Sequence, residues 1–189
     1  MILSRDYYER DPEKVARGLL GKKLVRNLGK DTLEGFIVET EAYYGENDPS
    51  SRAFHGQKNF NKPMWGISGT IFIYNVHKYW MFNIVAHEPK EIGAVLIRSL
   101  EPIKGIEIMK SNRKNSDVMQ LVKGPGRLTE AYGIDKSMNG KSVTSSKSEI
   151  RVFDNQMDFE VNTSHRIGVK KDLDRELRFF IKGNNFVSK

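Results

Sequence analysis

The heptapeptide Ile37-Val38-Glu39-Thr40-Glu41-Ala42-Tyr43 sets two carboxylates and an aromatic ring into an apolar segment, and Gly45 opens a loop directly after it. On an extended backbone alternate side chains share a face, advancing about 3.3 Å per residue. Ile37, Glu39 and Glu41 therefore point one way, and Val38, Thr40 and Ala42 the other. Two acids on one face fit the wet side of an edge strand, where charge discourages unwanted pairing. Because Ile37 shares that face, the alternative is that one carboxylate is half-buried and serves as a base.

Outward from this strand, Asp11-Pro12-Glu13 reads as a helix start, with Val15, Ala16, Leu19 and Leu20 at helical spacing and Gly21 as the stop. Leu24–Arg26, a turn at 27–31, and Leu33–Ala42 form a hairpin pattern. Residues 45–69 hold too many breakers for a regular element, yet Phe54, Phe60, Met64 and Trp65 predict an ordered, packed loop. Thr70–Tyr74, Trp80–Val85 and Ala94–Leu100 are rich in β-branched and aromatic residues and predict one antiparallel sheet. Pro102 predicts a short helix through Met109, and Gly124-Pro125-Gly126-Arg127-Leu128 leads into another that Gly133 ends. Residues 136–149 read as a surface excursion. Ile150–Phe153, Phe159–Val161, Arg166–Val169 and Leu177–Ile181 read as closing strands. The expected class is α+β: a single domain over 1–189 with a curved antiparallel sheet core flanked by short helices.

The 189 residues suffice to bury a core without staples, and the chain contains no cysteine, which excludes thiol catalysis, iron–sulfur clusters and disulfides. No apolar run reaches membrane-span length and the start lacks a signal-peptide core, so a cytoplasmic protein is expected, nucleoid-associated if prokaryotic. The net charge is +7. Residues 1–94 hold 13 basic against 12 acidic side chains, residues 95–189 hold 18 against 12. The basic face thus belongs to the second half and suits a polyanion.

His55, His77, His87 and His165 show no metal-ligand spacing, and neither a P-loop nor GxGxxG occurs, so neither metal nor other cofactor is expected. Tyr43, Tyr44, Phe72, Tyr74, Tyr79, Trp80 and Phe82 are either core or the walls of a slot for a planar base. Gly124, Gly126 and Arg127 are either a plain helix start or a phosphate cradle. Arg98, flanked by apolar residues, is a snorkelling edge residue or an arginine fixed at a site. These readings leave open a glycoside hydrolase using Glu39 and Glu41, a non-catalytic nucleic-acid-binding protein, and an enzyme acting on a base.

In order along the chain, Ile37–Tyr43, Asp48-Pro49-Ser50-Ser51, Gly69-Thr70 with Tyr74, Asn83, Leu96–Pro102, Gly124–Leu128, Arg166–Val169 and the tail Leu177–Asn184 resemble the alkyladenine (3-methyladenine) DNA glycosylase family. The resemblance spans nearly the whole sequence. It implies a monomer that acts on double-stranded DNA, flips an alkylated purine out of the helix and hydrolyses its N-glycosidic bond without a metal or a covalent intermediate. In that likeness Glu41 matches the general base, with Arg98 beside it. Tyr43, Tyr74 and Arg52 match positions around the flipped base, and Asn83 a residue that restricts the pocket against the guanine amino group. Two positions depart from the family pattern. Arg52 stands where many members have histidine, and His77 where the intercalating tyrosine is usual, in a turn one residue shorter. His77 is accordingly the expected wedge, with Val76 or Tyr79 as alternatives, and Gly124, Gly126 and Arg127 are the expected phosphate contacts.

Overall fold

The computed structural model describes residues 1–188. Helices α1 (Arg5–Tyr8) and α2 (Pro12–Leu19) lead into β1 (Lys23–Leu28) and the long β2 (Asp31–Tyr43); a 3-10 turn (Lys62–Trp65) precedes β3 (Ile71–Val76), β4 (Tyr79–Val85) and β5 (Ala94–Lys104). Then come α3 (Ile106–Arg113), α4 (Val118–Leu121), α5 (Pro125–Tyr132), β6 (Ile150–Phe153), β7 (Val161–Ser164) and β8 (Arg178–Ile181). All strands join one antiparallel sheet in the order β3-β4-β5-β2-β1-β6, with β8 pairing both β2 and β7. This is the expected α+β architecture. Among the described residues no helix is long and apolar enough to cross a membrane.

Local signals explain the elements that match expectation. Asp11 Oδ1 accepts from the amides of Glu13 (2.8 Å) and Lys14 (3.3 Å), so α2 begins with two of its free donors satisfied. Val15, Ala16 and Leu19 bury one stripe of α2 against Val38 and Ala42 of β2, and Thr40 donates to the Ala16 carbonyl at 2.9 Å. Gly133, left-handed at φ 59°, closes α5.

Several expectations give way. β2 is central and not an edge: its first half pairs with β1, its second half with β8, and β5 runs along its other side. Its acids consequently have no wet face. β5 continues through Pro102 to Lys104, because Pro102 falls beside a register shift, opposite Gly35, where a missing N–H is tolerated; the helix starts only after Gly105. Arg166–Val169 is a loop turning at Gly168 (φ 73°), its alternating pattern notwithstanding, and the strand expected at Phe159–Val161 runs from Val161 to Ser164. The 136–149 excursion carries a 3-10 turn (Lys136–Met138) and sends Met138 and Val143 into the core. In the 45–69 loop Met64 packs with Ala53, Phe72, Val85 and Ala94, while Phe54 and Phe60 are exposed.

The register between β2 and β5 decides where the buried charges of the sheet point. It runs Ile37↔Leu100, Glu39↔Ser99, Thr40↔Ile97, so Val38 and Arg98 are both skipped. Such irregularities bend a strand and re-aim side chains. Here they free Arg98 from the ladder and turn it toward Glu39 and Glu41.

Gly105 sits at φ 79°, and a Cβ there would lie 2.8 Å from the Thr32 carbonyl oxygen. Gly105→Ala should therefore cost about 1–3 kcal/mol, combining backbone strain with overpacking. Urea unfolding checks this, and an unchanged midpoint would refute the constraint.

Candidate active site

Glu39 and Glu41 are both fully buried, and Arg98 lies between them. Its Nε donates to Glu39 Oε1 at 2.9 Å and its Nη1 to Glu41 Oε2 at 3.2 Å. The two carboxylates are otherwise treated differently. Glu39 Oε1 also accepts from Arg178 Nε (2.7 Å) and Ser188 Oγ (2.8 Å), and Oε2 from the Ser188 amide (2.7 Å). Glu39 thus accepts four bonds, three on Oε1 and one on Oε2. Glu41 accepts three: Oε2 from Arg98 and from the Tyr43 hydroxyl (2.8 Å), Oε1 from the Ile167 amide (2.7 Å). One direction on Oε1 remains.

The environment fixes protonation around Glu41. Burial above all, then the Glu41 charge, pushes the Tyr43 phenol well above its ordinary range, so Tyr43 stays a donor. For Arg98 burial opposes the charge, but Glu41 and Glu39 outweigh it and the guanidinium is held more firmly protonated than usual. Tyr74 is likewise raised by burial, against the nearby charge of Arg52.

Above this cluster opens a cavity of about 750 Å³, walled by Tyr43, Tyr74, Met81, Leu96 and Arg98 on the sheet side and by Ile167–Lys171 opposite. Tyr43, Met81 and Leu96 form an apolar patch against which Tyr74, Val76 and Tyr79 pack. Arg52 stands at the mouth with its guanidinium carbon 4.5 Å from the Tyr74 ring centroid, a cation–π distance. Asn83 sits deeper, in a small recess with Met64, Phe72, Tyr74 and Ala94. Its amide donates to the Phe72 and Met81 carbonyls at 3.2 and 3.1 Å, which fixes its orientation.

A second groove, about 660 Å³, continues from the first past Met81, Arg98 and Pro125 to Lys123, Gly124, Gly126 and Arg127. Gly124 holds φ 113°, and its amide donates to Ser99 Oγ at 3.0 Å, so it is spent internally. A Cβ on Gly126 would lie 2.7 Å from the Tyr79 ring; this glycine lets Tyr79 lie flat on the start of α5. Arg127 is exposed and donates to Gln120. His77 is exposed at the β3–β4 hairpin tip at φ 53°, one residue beyond Val76 of the cavity wall.

A model of the methylpurine-DNA glycosylase (MPG) family matches residues 6–185. The chain belongs to the methylpurine-DNA glycosylase family. It is 40% identical to a protein of Clostridium perfringens, with all of both chains covered. It is 38% identical to one of Aeropyrum pernix, with all of this chain and 93% of the other covered, and 38% identical to one of Carboxydothermus hydrogenoformans over all of both. Each carries the name "Putative 3-methyladenine DNA glycosylase".

In this methylpurine-DNA glycosylase family member several site residues escape a reading of single residues. Arg166 is one: fully buried, it makes a bidentate pair with Asp48 (2.6 and 2.7 Å), bonds Asp172 through Nε (2.9 Å) and the Ala42 carbonyl (3.0 Å), and stacks 4.5 Å from the Tyr43 ring centroid. It thereby sets the loop that presents the Ile167 amide to Glu41. Asp48 and Arg166 lie in the two short motifs that accompany the acidic strand, which was the available signal. Of the partners of Glu39, Arg178 lies in the Leu177–Asn184 tail motif, whereas Ser188 carried no signal.

Breaking a buried pair leaves an uncompensated charge, typically at about 3–5 kcal/mol. Arg166→Met and Asp48→Ala should each lose stability on that scale, and the double variant clearly less than their sum. Thermal or urea unfolding of the three variants decides it; simple additivity would deny the pairing.

Proposed function

We propose that this family member removes alkylated purines, 3-methyladenine foremost, from duplex DNA by flipping the nucleotide into the 750 Å³ cavity and hydrolysing its N-glycosidic bond with a water activated by Glu41. The observation that carries the reading is the buried Glu41 carboxylate, oriented by three donors, with one acceptor direction left beneath an aromatic-walled cavity. The names of the relatives support the choice of lesion. Hypoxanthine, ethenoadenine and 7-methylguanine are further candidates of similar shape.

The chemistry is matched to one carboxylate. A 3-methylated adenine carries positive charge, so its departure takes the C1′–N electron pair onto an already electron-poor ring and leaves an oxocarbenium-like sugar. Water attacks C1′, its proton passes to Glu41, and free base and an abasic site result. Arg98 and the Ile167 amide hold Glu41 in line, while Tyr43 and Tyr74 flank the base. Glu41 is fully shielded in the DNA-free protein, so the attacking water has to be admitted to Oε1 when the nucleotide enters. Glu39, buried and paired with both Arg98 and Arg178, is held as an anchor, which argues against a two-carboxylate glycoside hydrolase.

DNA contacts follow the surface. Lys123, Arg127 and the amides at the start of α5 are proposed to take backbone phosphates in the groove beside the cavity. His77 is proposed as the wedge that fills the gap left by the flipped nucleotide. Two observations favour it over Tyr79: its exposed place at the hairpin tip, and the packing of Tyr79 on Gly126.

Glu41→Gln keeps shape and hydrogen bonding but removes the base, so single-turnover release of purines from methylated DNA should fall by a factor on the order of 10² or more with duplex affinity retained. Excision within a few-fold of wild type would overturn the mechanism. The His77 assignment is tested by His77→Gly. Relief of the left-handed strain should leave stability unchanged or raise it by up to about 1 kcal/mol. Flipping, read from a fluorescent base analogue, should drop sharply. Intact flipping in His77→Gly, together with its loss in Tyr79→Ala, would transfer the role.

A further inference from the structure

The segment 184–188 is bonded to β5 at every second residue. Asn184 Nδ2 donates to Glu101 Oε2 (2.7 Å), Ser99 Oγ to the Phe186 carbonyl (2.7 Å), and Arg98 Nη2 to Ser188 Oγ (3.3 Å). From the other side Lys123 Nζ donates to the Asn185 carbonyl at 2.9 Å and Arg178 Nη2 to the Ser188 carbonyl at 2.9 Å. The tail is thus held between β5 and the turn that opens α5. Ser188 is buried yet lines the basic groove, next to Arg98.

We infer that Ser188 is a positioning residue for excision: its hydroxyl keeps Arg98 directed at Glu41 when DNA phosphates occupy the adjoining groove. Arg98 walls both the base cavity and the groove. A guanidinium so placed has a competing partner whenever DNA is bound, because phosphate accepts an arginine fork as readily as carboxylate does. Three attachments oppose that swing. Nε is fixed by Glu39, Nη1 by Glu41, and Nη2 by Ser188, whose own hydroxyl is anchored on Glu39 at 2.8 Å. Nη2 has no other partner among the described residues, so without the Ser188 hydroxyl it is the nitrogen free to turn to a phosphate. The backbone bonds of Ser188 to Glu39 and Arg178 do not depend on the hydroxyl and hold the tail in either case.

The inference rests on the roles proposed above for Glu41 and Arg98, and its test has two arms. In the first, duplex DNA treated with dimethyl sulfate is incubated with excess Ser188→Ala, Ser188→Thr or wild-type protein, and released purines are timed. Ser188→Ala should slow the single-turnover rate about tenfold or more, the scale of a misplaced catalytic group. Ser188→Thr, which keeps the hydroxyl, should restore most of it. In the second arm duplex affinity is measured against salt. One additional phosphate contact steepens the slope of log K against log salt by about 0.9 in Ser188→Ala. A purely structural serine would lower the melting temperature but leave both the enzyme-excess rate and the salt slope where they were, and that result would overturn the inference. A rate within twofold of wild type would do the same. The salt arm needs no excision, so wild-type protein inert on methylated DNA would sink the proposed function while the slope still decides Ser188.

Discussion

Arg98 is the constraint around which the rest of the structure is arranged. Two fully buried carboxylates two residues apart on a central strand would repel each other and lack hydration, a cost of several kcal/mol per ion if left unmet. A guanidinium inserted between them meets both needs, but only if it leaves the ladder of its own strand. The skipped register at Val38 and Arg98 provides that freedom. Glu39 then still needs a second cation, supplied by Arg178 from β8, and this is one reason a short strand pairs with the second half of β2. Glu39, Glu41, Arg98 and Arg178 together carry no net charge, so the buried cluster is neutral and the chain's basic excess remains on the surface.

Within that neutral cluster hydrogen-bond count divides the labour. Glu39 accepts four bonds and serves as an anchor that gathers β5, β8 and the tail at one point. Glu41 receives donors from three different places: a tyrosine two residues on, an arginine across the sheet and a backbone amide from the 166–171 loop. Each fixes a different direction of the carboxylate. Arg166 extends the arrangement outward, because its bonds to Asp48 and Asp172 hold the loop that carries the Ile167 amide.

The range of the forces involved decides what could be seen in the sequence. The α2 start is legible because Asp11 and Pro12 act within three residues, and the hairpins β1–β2 and β3–β4 because their turns are short. The strand bearing Glu39 and Glu41 was visible, but its depth was not. Burial there depends on β8, some 140 residues away, and on a register irregularity that no local pattern encodes. Pro102 misled for a related reason: a proline signals a helix start or a strand bulge equally well, and only its cross-strand partner Gly35 distinguishes them. The 166–169 loop alternates like a strand because Arg166 and Gly168 serve a buried ion pair and a turn, not a pleat. Family likeness singled out Glu41, Tyr43, Tyr74 and Arg98, and all four gather around one cavity. It did not reach Ser188, a small polar residue whose importance lies entirely in its neighbours.

The hairpin tip extends the same logic to the surface. A non-glycine residue at φ 53° is strained, and such strain persists where the surroundings over-determine the conformation. The turn between β3 and β4 is only two residues long, His77 and Lys78, so strand pairing from Ile71 to Val76 forces its geometry. Glycine would occupy that position at lower cost. The structure instead places an imidazole there, projecting from a rigid two-strand support at the edge of the cavity, while the neighbouring Tyr79 is immobilised on Gly126. A side chain on a support that holds it fixed suits the wedge proposed for His77. Backbone energetics and hairpin geometry therefore both support that proposal.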